Sequence, residues 1–435
     1  MSGYRAGFGL ADITPKVGCP LAGYSNRSGG STGVHDRLLS RALVLEDGGG
    51  RWAIVANDLC YLGASTIALV RQAVAERTGI APAHQLIACT HTHSGPQDAP
   101  DNWTQPLGEL VAEAVERACE ALQPARLGGG FGTLPGWAIN RRWLDRPVDP
   151  GLVVLRIDSL DGRPLGLVTN LGLHGVVLGP DNLLISADWP GRACALVEQA
   201  LGQGSTCLFL QGGSGDANPL VAGVRARLES GHTVISIGDI SHNYGPLDDP
   251  EAWNVGDRRG GTFEEVDALA GAFAAEALRV AGGITTAPPE EPLWSQQVTV
   301  DVARGPDEPA REVPPPSLMR ERPPISDAQG RILAEVMLLG SGGIVLLCEP
   351  GEVFSQTAVT LKKDLRAMGY TTPMVVGYAN GFLGYLPEPV AFGEGGYEVR
   401  WAEYLGISRH VQDRVWRAAE PIARRFAPSG ARAGE

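Results

Sequence analysis

The sequence predicts a large α/β domain in which a mixed β-sheet core is flanked by helices. Two observations favour this fold class: short apolar runs typical of buried strands recur along the chain, and segments with helical periodicity lie between many of them. Hydrophobic residues also make up 43% of the 435 residues. This fraction is enough to bury a large core and excludes disorder as the main state of the chain.

Seven apolar runs are expected to form buried strands of this core. Short continuous runs of this kind fit strands that are covered on both faces. They are Trp52–Ala56, Leu86–Cys89, Val153–Ile157, Leu165–Val168, Cys207–Leu210, Ile344–Leu347 and Met374–Val376.

Four helices are predicted from apolar spacing and from residues that favour helix ends. The helix from Leu107 to Leu122 has the clearest amphipathic pattern. Ser65 is a candidate N-cap and Gly79 a candidate C-terminal stop, while Thr262 begins a capping box. The expected spans are 65–79, 107–122, 262–281 and 401–426.

Residues 285–327 are rich in proline and have the weakest predicted organisation. They could be an interdomain linker or a long surface excursion. We favour the excursion, because the candidate site residues described below lie on both sides of it. The prediction is therefore a single catalytic domain over residues 1–435.

Charge and composition restrict the partners and the location of the protein. The net charge of −13 argues against nucleic acid and anionic membrane surfaces as partners. No apolar run approaches the length of a membrane span, and the first residues lack the pattern of a signal peptide. We therefore expect no stable membrane insertion. Because the seven cysteines are scattered, we also expect reduced thiols and a cytoplasmic location.

His91 and His93 follow a predicted strand directly and are the first candidate metal ligands. Side chains two residues apart point to the same side of an extended chain, so the two imidazoles would converge. Both could bind one metal, or one could bind while the other acts on a substrate. The competing interpretation is a pair of partly exposed loop histidines.

His174 strengthens the metal hypothesis, because it lies among small and apolar residues just beyond another predicted strand. Ligands in α/β folds commonly bind outside the carboxyl ends of strands. A core histidine bonded to the backbone is the alternative. Asp188, further along, is expected to be a helix N-cap.

A carboxylate in the segment Cys348–Glu352 would complete a set of two histidines and one acidic residue, which is a known zinc combination. The glycine-rich segment Tyr378–Tyr397 also offers tyrosine hydroxyls that could coordinate a metal or donate to an oxyanion. Arg141 and Arg142, taken alone, would be interpreted as solvated loop charges.

The loop Gly212–Pro219 resembles a serine nucleophile elbow, but Asp216 occupies the place of the last glycine. Its turn-forming residues could instead place backbone N–H groups beside a metal or an oxyanion. A metal-free serine hydrolase would use Ser214 with His232 or His242.

Taken together, these motifs resemble the catalytic domain of the neutral/alkaline (non-lysosomal) ceramidase family over nearly the whole chain. The ordered set is far more specific than any one motif. The matching segments are Ala11–Pro15, Ser40–Ala42, Thr90–Pro96, Ile139–Arg141, Ser186–Asp188, Gly215–Asp216, Pro350–Glu352 and the tyrosines Tyr385 and Tyr397.

The resemblance implies a loop-rich zinc site at the strand ends. It assigns the Zn²⁺ ligands to His91, His174, Glu352 and Tyr385, and the surroundings of the scissile amide to His93, Arg141 and Tyr397. The two tyrosine roles could be exchanged.

Two departures from the family pattern bear on the substrate. Asn218 stands at the position of the family's active-site serine; it cannot act as a nucleophile but can hydrogen-bond the substrate. The secretory signal and C-terminal β-sandwich domain of the larger members are not expected in this sequence. Both departures disfavour ceramide itself as the substrate.

The expected function is zinc-dependent hydrolysis of a linear N-acyl bond, in a soluble small molecule or a lipid-like amide, by metal-activated water. An esterase or lactonase that uses the same site is the first alternative. A metal-holding binding protein without turnover is the second. The oligomeric state is not predicted.

Overall fold

The computed structural model describes residues 4–24, 27–143, 145–221, 261–289, 291–308 and 325–428. The strands in these ranges are β1 (Arg5–Asp12), β2 (Gly33–Val34), β3 (Leu39–Asp47), β4 (Gly50–Asn57), β5 (Gln85–Cys89), β6 (Gln123–Thr133), β7 (Ala138–Asn140), β8 (Gly151–Ser159), β9 (Pro164–Leu171), β10 (Leu184–Ile185), β11 (Thr206–Gln211), β12 (Ala217–Pro219), β13 (Trp294–Asp301), β14 (Leu333–Ser341), β15 (Ile344–Cys348), β16 (Glu352–Val353), β17 (Thr372–Val376) and β18 (Tyr385–Leu386). The α-helices are α1 (Ala64–Thr78), α2 (Leu107–Glu120), α3 (Asp188–Leu201), α4 (Phe263–Gly283), α5 (Ser355–Ala367), α6 (Pro389–Glu394), α7 (Tyr397–Leu405) and α8 (Val411–Arg425).

Two mixed β-sheets form the core. The larger has eight strands in the order β11-β9-β8-β6-β1-β3-β4-β5, and the smaller has four in the order β13-β14-β15-β17. The outer pairs β11–β9 and β4–β5 of the larger sheet are parallel, as is β15–β17 of the smaller one, while the other neighbours are antiparallel. The predicted mixed-sheet α/β class is therefore confirmed.

The two sheets face each other across a shared apolar layer. Ile54 and Val168 of the larger sheet pack in one cluster with Leu346 and Met374 of the smaller sheet. Helices cover the outer faces: α1 with α2 and α3 with α4 on the larger sheet, and α5 and α8 on the smaller one. Burial of apolar residues on both sides of each sheet explains why the strands have continuous apolar runs.

All seven predicted strands lie in observed strands, and three of the four predicted helices are observed with small shifts at their ends. Thr262 and Glu265 form the predicted capping box of α4. Gly79 ends α1 in the left-handed conformation as predicted, but the N-cap of that helix is Gly63 and not Ser65.

The fourth helix prediction, 401–426, is wrong in its continuity. Gly406, with φ of 80°, ends α7, and a new helix, α8, begins at Val411. A glycine in the left-handed region terminates a helix readily because it has no Cβ to clash.

The proline-rich region contains a strand that its sequence does not predict. Strand β13 lies within it and pairs antiparallel with β14 along its whole length, forming an edge of the smaller sheet. The proline run 314–316 and Pro323–Pro324 lie outside the described residues. The single-domain interpretation of residues 1–435 stays a prediction.

None of the helices in the described ranges combines the length and the apolar character that crossing a membrane requires.

Candidate active site

The predicted site residues meet where strands of both sheets end. His91 and His93 follow β5, His174 follows β9, and Glu352 lies on β16 just beyond β15. The short strands β12 and β7 pair with each other and place Asn218 opposite Ile139. This pairing brings the side chain of Asn218 close to that of Arg141. Loops from both halves of the chain therefore build one site.

His91 is held with one ring nitrogen facing the site. Its backbone φ is 67°, so the strand does not stay extended through His91. The two imidazoles nevertheless converge, with 3.0 Å between their Nε2 atoms. Because Nδ1 of His91 lies 2.7 Å from the carbonyl oxygen of Cys60, Nδ1 carries the proton and Nε2 presents its lone pair.

His174 is fixed in the same tautomer. Its Nδ1 donates to the carbonyl oxygen of Ser214 at 2.6 Å, which leaves Nε2 as an electron-pair donor. The indole of Trp189 donates to the carbonyl oxygen of His174 at 2.8 Å and holds the backbone there. The loop after β11 thus supplies carbonyl oxygens that orient this histidine.

Asp188 has a supporting role that differs from the predicted N-cap. The N-cap of α3 is Ala187, and Asp188 is the first helical residue, with φ of 52°. Its carboxylate accepts hydrogen bonds from the backbone N–H groups of Leu178 and Trp189 at 3.0 and 2.6 Å. It therefore ties the loop after His174 to the start of α3.

Glu352 completes a cluster that can hold a metal ion. Its Oε2 lies 3.7 Å from Nε2 of His91 and 3.3 Å from Nε2 of His174. One ligand atom from each of these three residues lies within 4.8 Å of the other two. A carboxylate and two imidazole nitrogens, all buried, are a donor set that zinc accepts.

The protonation states also fit a metal site. Burial lowers the pKa of His91 to about 3, against the opposing charge of Glu352, and burial also lowers the pKa of His174 well below its ordinary value. Both imidazoles are therefore neutral near pH 7 and can donate an electron pair. Burial raises the pKa of Glu352 against the lowering effect of His91 and Arg141. A bound cation would oppose the effect of burial and favour the ionised carboxylate that a metal needs.

Arg141 is buried beside the cluster and is not the solvated loop charge that its local sequence, taken alone, would indicate. Its Nη2 donates to the hydroxyl of Tyr385 at 2.9 Å, and its Nη1 lies 3.4 Å from Nε2 of His174. Burial disfavours its charge, but the oxygens of Tyr385, Glu398 and Glu352 outweigh this effect and hold the pKa of Arg141 well above its ordinary value. A permanent positive charge thus faces the predicted metal position.

The two predicted tyrosines lie at different depths. Tyr385 is buried and pairs in register with Glu352 through strands β18 and β16. Tyr397 is half-buried at the start of α7, and its ring packs edge-on against that of Tyr385 with 5.7 Å between centroids. This arrangement favours Tyr385 as the residue nearer to the metal position.

His93 and Asn218 present polar atoms that no other described residue satisfies. Nδ1 of His93 and Nδ2 of Asn218 are buried and lack a hydrogen-bond partner within the described ranges. Oδ1 of Asn218 faces Nη1 of Arg141 at 3.5 Å, which turns Nδ2 away from the arginine. Unpaired buried donors and acceptors are unfavourable, so these atoms are candidates to contact a substrate.

Ser214 does not have the surroundings of an activated nucleophile in the described part of the chain. Its hydroxyl lies 3.0 Å from the hydroxyl of Tyr378 and is fully buried. His232 and His242, its predicted partners, lie outside the described residues.

The structure adds Tyr378, Glu398 and Gly23 to the predicted set. In the sequence, Tyr378 is one of several aromatic residues in a glycine-rich segment, and Glu398 and Gly23 belong to no local motif. The Tyr378 ring stacks on that of His91, with 4.0 Å between centroids, and its hydroxyl contacts Glu352. A Cβ atom on Gly23 would lie 2.3 Å from Nδ1 of His93, so only glycine leaves room for that ring.

Known proteins resemble this chain in both sequence and fold. Neutral ceramidase B of Dictyostelium discoideum is 28% identical over 264 residues, which is 52% of this chain and 37% of that protein. The neutral ceramidase of Mycobacterium tuberculosis is 28% identical over 258 residues, or 50% of this chain and 40% of that protein. The aligned region thus spans less than half the length of either relative.

Two solved structures share the fold over 98% of this chain. One is described as a ceramidase complexed with C2, with a TM-score of 0.74, 20% identity and 75% of its own chain covered. The other is neutral ceramidase from Pseudomonas aeruginosa, with a TM-score of 0.73, 21% identity and the same coverage.

Residues 4–249 match the family described as neutral/alkaline non-lysosomal ceramidase, N-terminal. This match covers more than half of the 435 residues and includes both metal-site histidines. The chain therefore belongs to the neutral/alkaline non-lysosomal ceramidase family.

Proposed function

We propose that this protein is a zinc-dependent amidohydrolase that cleaves a linear N-acyl bond. One observation carries the proposal: Nε2 of His91, Nε2 of His174 and a carboxylate oxygen of Glu352 converge in a buried cluster beside the guanidinium of Arg141. Family membership supports the choice of an amide bond, because the relatives are named ceramidases.

The proposed chemistry divides between the metal and the protein. A bound zinc ion would lower the pKa of a coordinated water towards neutrality and polarise the acyl oxygen. Arg141 and Tyr397 would donate hydrogen bonds to the developing oxyanion, while Tyr385 would be the fourth residue that holds the metal. Neutral His93 would take up or deliver a proton on the side of the leaving amine.

The proposed substrate is an N-acyl amine, which is either a lipid-like amide or a small soluble molecule. Asn218 would contribute to the choice, since its buried Nδ2 has no hydrogen-bond partner among the described residues and needs an acceptor oxygen. Nucleic acid is not a proposed partner, and the cytoplasmic location and the lack of stable membrane insertion stay predictions from the sequence.

The test is metal analysis of the purified protein together with a panel of N-acyl amines, assayed before and after chelation. The panel should include a ceramide, an N-acyl amino acid and the ester analogue of each. We expect about one zinc per chain, amide hydrolysis that chelation abolishes, and recovery on adding zinc.

Glu352→Gln should remove both the metal and the activity, whereas Glu349→Gln is a matched control. Glu349 is equally buried and only three positions away, but it lies outside the metal-binding cluster. Full activity in the chelated protein would contradict the proposal. Hydrolysis of the esters alone would favour an esterase or lactonase, and zinc binding without turnover would favour a binding protein.

A further inference from the structure

Glu398 is a completely buried carboxylate at the second position of α7, and it contacts two arginines. Its Oε1 accepts from Nε of Arg141 at 2.8 Å, and its Oε2 accepts from Nη1 of Arg142 at 3.3 Å. A fully buried carboxylate is costly unless it is ionically paired and hydrogen-bonded. Both conditions are met here, so Glu398 and the two arginines form one charged unit.

Within this unit, Glu398 controls one edge of the Arg141 guanidinium. The group is planar and rigid, so fixing Nε also fixes the directions of Nη1 and Nη2. Those two nitrogens face the metal-binding cluster: Nη2 contacts the hydroxyl of Tyr385, and Nη1 lies near Nε2 of His174. Glu398 thus holds Arg141 on the edge that does not face the proposed substrate.

The two arginines depend on Glu398 to different degrees. Arg142 also pairs with Glu394 at 3.3 Å and donates to the carbonyl oxygen of Gly395 at 3.0 Å. Within the described ranges, Glu398 is the carboxylate that forms an ion pair with Arg141. Loss of the Glu398 charge would therefore affect Arg141 more than Arg142, because Arg142 keeps its ion pair with Glu394 whereas Arg141 loses the carboxylate that binds its Nε.

We propose that Glu398 is a positioning residue that fixes the Arg141 guanidinium against the reacting amide. This role rests on the proposed hydrolase function, in which Arg141 stabilises the oxyanion. Glu398 itself does not touch the substrate; it determines where Nη1 and Nη2 of Arg141 lie and compensates their charge. A displacement of about 1 Å at such a group can lower a rate by roughly 100-fold.

The test compares Glu398→Gln with Glu394→Gln. Glutamine keeps the shape of Glu398 but removes its charge. Glu394 belongs to the same network, since it pairs with Arg142 and Arg146, yet it forms neither a hydrogen bond nor an ion pair with Arg141 in the described part of the chain. It is the matched control because its loss perturbs the network without releasing Arg141.

For Glu398→Gln we expect kcat to fall roughly 10- to 100-fold, with KM changed less than about threefold and the zinc content unchanged. Glu398→Asp should recover part of the loss, and Glu394→Gln should keep wild-type kcat. A purely structural role would instead lower the melting temperature and the amount of active enzyme while leaving kcat per zinc-loaded site unchanged. That result would overturn the proposal.

A second readout needs no substrate. The Nε–H resonance of Arg141, assigned by its disappearance in Arg141→Lys, should be shifted and protected from exchange in the wild type and Glu394→Gln but not in Glu398→Gln. If the protein hydrolyses no amide, this measurement still tests the positioning contact. An unprotected Arg141 Nε–H in the wild type would overturn the inference even if the hydrolase function were established.

Discussion

The hydroxyl of Tyr378 donates a 3.1 Å hydrogen bond to Oε2 of Glu352, the oxygen that faces both metal-site histidines. Tyr378 lies at the edge of the site with φ of 52°, a left-handed conformation that is uncommon for a bulky residue. Its ring also stacks on His91. One tyrosine thus orients two of the proposed ligands.

Tyr378→Phe should therefore weaken metal binding by roughly 10- to 100-fold, because the ring contact stays but the carboxylate loses its orienting hydrogen bond. Competition with a chromophoric chelator measures this change. Tyr404→Phe, on the exposed side of α7, is the control and should bind metal as the wild type does. Equal metal affinity in the wild type, Tyr378→Phe and Tyr404→Phe would show that Tyr378 does not contribute to metal binding.

The different depths of Tyr385 and Tyr397 lead to a second prediction. It distinguishes which tyrosine holds the metal and which lies beside the scissile amide, two roles that the sequence does not assign uniquely. Tyr385→Phe should lower both metal affinity and turnover, because its hydroxyl lies beside Arg141 and its backbone pairs with Glu352. Tyr397→Phe should lower turnover by roughly 10²–10³ with metal affinity unchanged. The opposite pattern would exchange the two assignments.

Arg141→Ala should lower turnover by roughly 10²–10³, the usual effect of losing one oxyanion donor. Arg146→Ala is the charge-matched control, since Arg146 is exposed and pairs with Glu394 outside the metal-binding cluster. Both variants are assayed on one N-acyl substrate, with zinc content measured in parallel. Wild-type turnover in Arg141→Ala would exclude the arginine from the reaction.

Gly23 gives a prediction about His93 alone. An alanine Cβ would lie 2.3 Å from Cγ and Nδ1 of His93 and would displace the ring, and all three of the heavy atoms nearest to it belong to His93. Gly23→Ala should therefore lower turnover by roughly 100-fold with the zinc content unchanged.

Gly18→Ala separates this clash from backbone strain. Gly18 has nearly the same φ, 98° against 95°, but a Cβ there would meet nothing within 4 Å. The two variants share the penalty of a side chain in the left-handed region and differ only in contact with His93. If both lose activity equally, strain and not His93 explains the loss.

Seven of the twelve described strands in the two core sheets, and three of the helices, could be predicted because their signals are local. An apolar run such as Cys207–Leu210 indicates a strand that is buried on both faces. The capping box formed by Thr262 and Glu265 indicates where a helix begins. The break at Gly406 was missed because apolar spacing continues on both sides of it. Strand β13 was missed because its pairing with β14 outweighs the prolines around it.

The candidate site was only partly readable from local patterns. His91, His93 and His174 could be singled out because each lies just beyond an apolar strand. Glu398 could not, because its contact with Arg141 spans 257 positions and joins a loop to a helix from the other half of the chain. The requirement for glycine at position 23 likewise comes from a side chain distant in sequence.

Glu349 yields a prediction about pH and stability. This buried carboxylate accepts a hydrogen bond from Nε2 of Gln412 at 3.0 Å, and its Oε1 has no partner in the described part of the chain. Burial raises the pKa of Glu349 from 4.5 to about 7, against the effect of Gln412. The folded state therefore binds this proton more tightly than the unfolded state does.

A raised carboxyl pKa makes a stabilising contribution that is complete below pH 4.5 and is lost as the pH rises through 7. The free energy of unfolding of the wild type, measured relative to Glu349→Gln, should thus fall by about 3 kcal/mol between about pH 4 and pH 8. Guanidinium denaturation of both proteins at each pH measures this difference, since glutamine does not titrate and the other groups cancel. A difference that does not change with pH would mean that Glu349 is ionised in the folded protein and that a group other than Gln412 compensates its charge.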